Sequence, residues 1–344
     1  SALQAEGRGF EPLFAHHNHP LFCFILFFPS ANRIDLMGMM HTNLLQPFDH
    51  PLCTRAGVAI DLLRLDLIDP TVSGNKWFKL MPLLELLDGS QPILSFGGAY
   101  SNHLHALARL GYKQGFRTIG VIRGEPQQTP TTEDLELWGM KLHFVSRSDY
   151  RQKNNPEFIR ALQARFGQFF LLPEGGANEM AIQGCSDIWS LVGESYRPNQ
   201  VFVSVGTGTT LAGLAVGAPS GTKLTGICAS GGFDYLEAQI KDSLKAFSLN
   251  EDVSWCLESA CNLRFAKVDT ELSALWQRLS QLDLQLDPVY TLRLFHSIVR
   301  KLHRGVFSPG QRILLVHTGG LQGVRGQQLR LNRLASAHCG PVPL

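Results

Sequence analysis

Three short stretches of this chain bring together residue types that can do chemistry. In SGNKWFKL, residues 73–80, Lys76 and Lys79 stand three apart at the start of an otherwise apolar helical pattern. A lysine in such a place ordinarily lays its stem on apolar surface and sends its ammonium to water. Lys76 differs because it follows a Ser-Gly-Asn corner. A partly desolvated amine there has a lowered pKa and can attack a carbonyl to form a Schiff base. Lys79, about one turn on, depresses it further by like-charge repulsion. In VGTGTTLAG, residues 205–213, glycines follow a buried-type strand and open a helix. Gly206 and Gly208 permit close backbone approach, Thr207, Thr209 and Thr210 offer hydroxyls, and a helix start presents N–H groups to an anion. A phosphate seat and a plain strand-to-helix turn are both open readings of that loop alone. It has no Walker lysine and no full dinucleotide fingerprint, so it suits a phosphate rather than a nucleotide. In SFGGAYSNHLHALA, residues 95–108, Ser101 and Asn102 fall at a helix start after two glycines. One of them caps the helix, and both can still face a cleft.

These corners need a scaffold, and the pattern around them supplies one. From residue 58 onward, strand-like and helix-like runs alternate: strands at 58–66, 92–98, 117–124, 141–146, 168–176, 200–208, 223–230 and 312–320, helices at 75–87, 101–115, 131–140, 155–167, 178–193 and 209–217. Pro82 is expected to start or kink its helix. Strict alternation implies right-handed crossovers and mostly parallel sheets with helices on both faces. Ligands of such sheets sit beyond the carboxyl ends of the strands, and the glycine-rich corners all fall there.

Composition narrows the partners. The chain has 344 residues, 44% hydrophobic and 17% charged, which suits one large domain or two that share a cleft. A formal net charge of +2 leaves no footprint for nucleic acid or a membrane surface, so a small molecule is the expected substrate. Seven cysteines (Cys23, Cys53, Cys185, Cys228, Cys256, Cys261, Cys339) are widely spaced and read as reduced thiols of a cytoplasmic protein. His16, His17 and His19 lie in a ragged N-terminal stretch without a ligating pattern, and no metal is expected. The apolar run PLFCFILFFP, residues 20–29, is too short to span a bilayer as a helix and lacks the flanks of a secretory signal. It reads as an extension ahead of a body that starts near Met39 or Met40, with a membrane-interface segment as the alternative.

Together, SGNKWFKL, SFGGAYSNHLHALA, LPEGGAN (172–178), VGTGTTLAG, LDPVYT (286–291) and HTGG (317–320), in this order and spacing, resemble the D-cysteine desulfhydrase / 1-aminocyclopropane-1-carboxylate deaminase family over about residues 48–330. The resemblance implies an α/β fold of the tryptophan synthase β type, that of the fold-type II pyridoxal-phosphate enzymes. Two three-layer α/β/α domains would hold the cofactor in the cleft between them. The large domain would comprise 46–90 and 185–344, the smaller one 91–184, and residues 1–45 would be the extension. It also implies pyridoxal 5'-phosphate, a small amino-acid substrate and a homodimer. Lys76 would carry the cofactor as a Schiff base and move protons at the substrate. Asn102 would contact the cofactor's phenolic oxygen, Ser101 the substrate carboxylate, and Gly206, Thr207, Gly208, Thr209 and Thr210 the phosphate. Tyr290 would lie on the cofactor face with acid–base or positioning duties.

Two positions separate the branches of that family. The cyclopropane-opening branch carries Glu where this chain has Thr291 and Leu where it has Thr318. Thr291 is expected near the pyridine nitrogen, where a hydroxyl holds a proton less strongly than a carboxylate. Expulsion of a β-thiolate demands less of the ring than opening a cyclopropane, so D-cysteine desulfhydration is the leading expectation. Cyclopropane deamination is the alternative, and a cofactor-holding protein with little turnover is the third reading. Two departures motivate the third: Leu292 replaces a glycine and is expected to stiffen or displace its turn, and Phe265 stands where the family has a second tyrosine.

Overall fold

The computed structural model describes residues 43–84, 86–229, 234–260, 264–340 and 344. The apolar run at 20–29, the histidines at 16, 17 and 19, Cys23, Cys261 and the body start near Met39 or Met40 lie outside the described residues.

In chain order, β1 (Leu45–Pro47), α1 (Pro51–Ala56) and β2 (Ala59–Arg64) precede the lysine-bearing α2 (Asn75–Leu84). Next come β3 (Ile93–Gly98), α3 (Asn102–Gln114), β4 (Thr118–Arg123), α4 (Pro130–Leu137), β5 (Lys141–Val145), α5 (Arg147–Tyr150), α6 (Pro156–Phe166), β6 (Phe170–Leu171) and α7 (Glu179–Ser186). The remainder is β7 (Gln200–Val205), α8 (Thr209–Val216), β8 (Lys223–Cys228), α9 (Asp234–Leu244), β9 (Ser254–Ser259), α10 (Thr270–Ser280), α11 (Thr291–His303), β10 (Arg312–His317) and α12 (Gln328–Ser336). The expected alternation holds. Between 231 and 311, to which the sequence reading assigned no elements, lie α9, β9, α10 and α11.

Among the described residues the strands form a six-stranded sheet, β1-β2-β10-β7-β8-β9, and a four-stranded sheet, β5-β4-β3-β6. Every pairing is parallel except β1 with β2. Leu44 is buried and its carbonyl accepts from the Arg64 N–H, so the sheet edge begins just inside the stretch expected as an extension. Strand order reverses where β10 inserts between β2 and β7, and again where β3 separates β4 from β6. Such reversals leave a crevice at the carboxyl ends, and both sheets open theirs onto one cavity.

The strand expected at 168–176 shrinks to Phe170–Leu171, because Gly175 and Gly176 take left-handed φ values of 71° and 69° and coil the chain into a short 3-10 turn. Pro82 neither starts nor ends its helix; it sits inside α2. A proline frees the carbonyl four residues back, here that of Phe78. Gly184 of α7 packs on that oxygen so tightly that a Cβ would stand 2.0 Å from it. On the other side of α7, a Cβ on Gly213 of α8 would meet the Cys185 side chain at 2.3 Å. Glycines thus let α7 bring α2, which carries the lysines, close to α8, which carries the threonine-rich loop.

Candidate active site

A cavity of about 850 Å³ lies at the two crevices. Four corners line it: the start of α2, the turn from β3 into α3, the loop between β7 and α8, and the loop after β10. Of the expected site residues it brings together Lys76, Ser101, Asn102, Gly206, Thr207, Gly208, Thr210, Tyr290 and Thr318. Thr209 and Thr291 are not in its wall.

Asn75 ties three of the corners together. Its backbone N–H donates to the Thr318 carbonyl at 3.2 Å, its Nδ2 donates to Thr210 Oγ1 at 2.8 Å, and its Oδ1 accepts from Lys76 Nζ at 2.9 Å. Burial first, and the neighbouring Lys79 charge second, lower the Lys76 pKa from 10.5 to about 7. Lys79 is itself only 5% exposed and is lowered by burial. Its ammonium does more than repel: it donates to the Gly175 carbonyl at 3.2 Å and to Thr207 Oγ1 at 3.4 Å, reaching the threonine-rich loop. Sequence reasoning gave Lys79 only the repulsive role. Its helical spacing from Lys76 was the available signal, since residues three apart share a face.

Ser101 is the N-cap of α3, accepting from the Leu104 N–H at 3.2 Å, and Asn102 is the first helical residue. The Asn102 amide is oriented by Gln322, which donates to its Oδ1 at 2.6 Å, and lies against Gly320, where a Cβ would stand 2.5 Å from its Nδ2. His103, buried beside these residues, pairs through Nε2 with Ser95 Oγ at 2.8 Å; burial holds it well below the usual imidazole range, hence neutral.

Thr318 keeps its place in the cavity wall, and its hydroxyl pairs with that of Ser204 at 2.9 Å. Thr291 does not. It is 0% exposed, and its hydroxyl closes the start of α11 with Asp287: the Asp287 N–H donates to Thr291 Oγ1 at 2.8 Å, and Thr291 Oγ1 donates to Asp287 Oδ1 at 2.9 Å. The helix phase that brings Tyr290 to the cavity turns its neighbour into the core. Asp287 also accepts the N–H groups of Val289, Tyr290 and Thr291, and this capping role was legible in LDPVYT but not drawn from it. Leu292 does not displace the turn either. It is helical and fully buried, a position where leucine is favoured over glycine. Burial pushes the Tyr290 phenol above its ordinary value, so it stays protonated. Its ring lies on Gly206, where a Cβ would meet it at 3.2 Å, and edge-on to Phe265, with centroids 6.0 Å apart.

The arrangement fits pyridoxal phosphate. Gly208 starts α8 with no side-chain cap, leaving the first N–H groups of the helix for phosphate oxygens, with Lys79 beside them as a counter-charge. The Lys76 amine and the Tyr290 ring, both in the wall of the same cavity, complete the fit.

No family model matches the chain. Individual proteins do. The D-cysteine desulfhydrase of Yersinia pestis (strain Pestoides F) is 24% identical over 311 residues, covering 84% of this chain and 93% of the relative. The bifunctional D-cysteine desulfhydrase/1-aminocyclopropane-1-carboxylate deaminase, mitochondrial, of Arabidopsis thaliana is 24% identical over 296 residues, 78% and 74% of the two chains. Among solved structures, a 1-aminocyclopropane-1-carboxylate deaminase homologue superposes with a TM-score of 0.71 at 23% identity, over 84% of this chain and 93% of that one. A pyridoxal 5'-phosphate-dependent aspartate racemase gives 0.60 at 16%, over 84% and 94%. The chain is a relative of the D-cysteine desulfhydrase and 1-aminocyclopropane-1-carboxylate deaminase proteins. The resemblance carried by the six motifs is thereby borne out, and the fold is that of the type II pyridoxal-phosphate enzymes. Among the described residues, no helix is long and apolar enough to cross a membrane.

Proposed function

We propose that the chain is a pyridoxal-phosphate-dependent lyase that converts D-cysteine and water to pyruvate, ammonia and hydrogen sulfide. One observation carries the reading: an amine lowered to about 7, Lys76, stands in the same cavity as an uncapped helix start with a lysine beside it. Bound there, the cofactor supplies an electron sink for the substrate's α-carbon. The chain does the rest. Lys76 takes the α-proton. Ser101 holds the substrate carboxylate, Asn102 meets the cofactor's phenolic oxygen beside it, and together they fix which face of the α-carbon meets Lys76. Lys79, Thr207 and the first N–H groups of α8 anchor the phosphate. Tyr290, protonated at neutral pH, donates toward the departing sulfur.

A specific observation favours elimination over ring opening. Among the described residues of the cavity wall the carboxylates are Asp287 and Glu174. Asp287 is engaged by the start of α11, and Glu174 by the Tyr150 hydroxyl at 2.8 Å and Lys153 at 3.4 Å. In the same wall Ser204 and Thr318 offer a ring nitrogen two paired hydroxyls, which favour a protonated ring less than a carboxylate does. Deamination of 1-aminocyclopropane-1-carboxylate is the second reading.

The same proposal divides the chain into a large domain (46–90 and 185–344) and a smaller one (91–184) after an extension (1–45), a division supported by the two sheets. It also includes a homodimer and a cytoplasmic location, the latter in keeping with free thiols at Cys53, Cys185 and Cys228. The deciding experiment incubates purified protein with D-cysteine, L-cysteine, D-serine and the cyclopropane amino acid and measures sulfide and 2-oxoacid. Sulfide with pyruvate from D-cysteine is the expected result; 2-oxobutanoate alone selects the second reading, and no product from any of them overturns both.

A further inference from the structure

The end of β8 and a turn at residues 264–267 form one wall of the cavity, contributing Ala229, Phe265 and Ala266. The turn is closed by the Lys267 N–H, which donates to the Arg264 carbonyl at 3.1 Å. Its third residue, Ala266, has φ +57°. A type II turn demands that left-handed value at its third position, where glycine or asparagine is usual and any Cβ is strained. Its second residue, Phe265, projects 50% exposed, with its ring 70° to that of Tyr290.

Beneath the turn lies Arg293, the largest of the fully buried side chains among the described residues. It follows Tyr290 by one turn of α11. Its guanidinium donates to the carbonyls at both ends of the turn, Arg264 at 2.8 Å and Lys267 at 2.7 Å, and also to the carbonyl of Ala229. A planar fork can serve divergent carbonyls at once, which a lysine ammonium on a flexible stem cannot do as rigidly. Strained backbone persists only where its surroundings over-determine it.

We propose that Arg293 is a positioning residue: it holds the turn at Ala266 in its strained form, and so sets how far Phe265 enters the cavity and which substrate side chains the site admits. This rests on the cavity being an amino-acid lyase site. The wall that Phe265 and Tyr290 make is aromatic and uncharged, which suits a compact neutral β-substituent such as a thiol and crowds a longer one.

Two measurements on the full-length protein test it. The first, amide hydrogen exchange of peptides covering residues 264–268 in cofactor-free protein, needs no turnover. Arg293→Lys should speed exchange there at least about tenfold while α10 and β10 keep their protection. Glycine adopts the left-handed φ without strain, so Ala266→Gly added to Arg293→Lys should restore most of the protection. The second is the ratio of kcat/KM for D-cysteine to that for S-ethyl-D-cysteine. Arg293→Lys and Phe265→Ala should each lower it about tenfold, and the two together no more than Phe265→Ala alone. Unchanged exchange in Arg293→Lys, absence of rescue by Ala266→Gly, or additive effects on the ratio overturn the proposal. If the wild type acts on neither substrate, the lyase reading has failed and the exchange result alone decides the role of Arg293. If Arg293→Lys does not fold alone, Arg293→Lys with Ala266→Gly decides: recovery of folding and of protection at 264–268 supports the proposal, and failure to recover overturns it.

Discussion

Gly74 and Thr318 touch so closely that a Cβ on Gly74 would stand 2.0 Å from the Thr318 carbonyl oxygen. That oxygen also accepts the Asn75 N–H, so the lysine corner and the loop after β10 form one wall of the cavity. Gly74 has φ +67°, which adds backbone strain to the clash for any other residue. Gly74→Ala should therefore cost about 3 kcal/mol or more. A fall of that size in unfolding free energy, read from the denaturant midpoint at an unchanged m-value, checks it, and a loss under about 0.5 kcal/mol contradicts it.

Lys76→Ala should abolish the visible absorption of bound cofactor, and its bleaching by borohydride, while the far-ultraviolet circular dichroism stays as in wild type. The substitution removes a desolvated ammonium next to Lys79, so it takes away repulsion rather than support. A band that persists in the variant and still responds to borohydride would exclude Lys76 as the cofactor-bearing residue.

Protein without cofactor should grow more stable as pH rises above neutrality. Lys76 is lowered to about 7 in the fold from an ordinary value of 10.5. Between these values the unfolded chain binds more protons at this position, so unfolding free energy increases with pH, by up to about 1.4 kcal/mol per unit. Below pH 7 the full penalty is present. Lys79 is shifted the same way and adds to the slope. Denaturant midpoints at several pH values should show the rise, and Lys76→Met should flatten it; an equal slope in the variant is the contrary result.

Thr291→Glu should damage the fold rather than convert the reaction. The Thr291 hydroxyl lies 2.9 Å from Asp287 Oδ1 with no exposure, so a glutamate would place two carboxylates side by side away from water. A loss of about 3 kcal/mol or more in unfolding free energy is expected. Thr318→Leu, in the cavity wall, should retain the fold and lose D-cysteine turnover, since it removes the partner of Ser204. In the wild type, D-cysteine should be preferred over the cyclopropane substrate at least about tenfold, a barrier difference of about 1.4 kcal/mol. A wild-type preference for the cyclopropane overturns the branch assignment and leaves the cofactor site standing.

Much of this was legible in the sequence, because it depends on short stretches. Glycines after apolar strands, threonines at a helix start and a lysine behind Ser-Gly-Asn announce their roles locally, and strand–helix alternation announces parallel sheets. Within 231–311 the signals were uneven. β9 is a half-exposed edge strand without the apolar run of β7 and left no local mark, whereas the Asp269 N-cap of α10 and the helical spacing of apolar residues in α11 were legible and not drawn from the sequence. What the tertiary structure alone decided is direction. Tyr290 and Thr291 are neighbours in the chain, yet one lines the cavity and the other is buried, since the phase of α11 is set by packing against the sheet. Lys79 meets Thr207 only because Gly184 and Gly213 let α2, α7 and α8 approach so closely. Spacing names the residues that can share a face, but the face that meets a ligand is chosen by contacts from parts of the chain that no local pattern reaches.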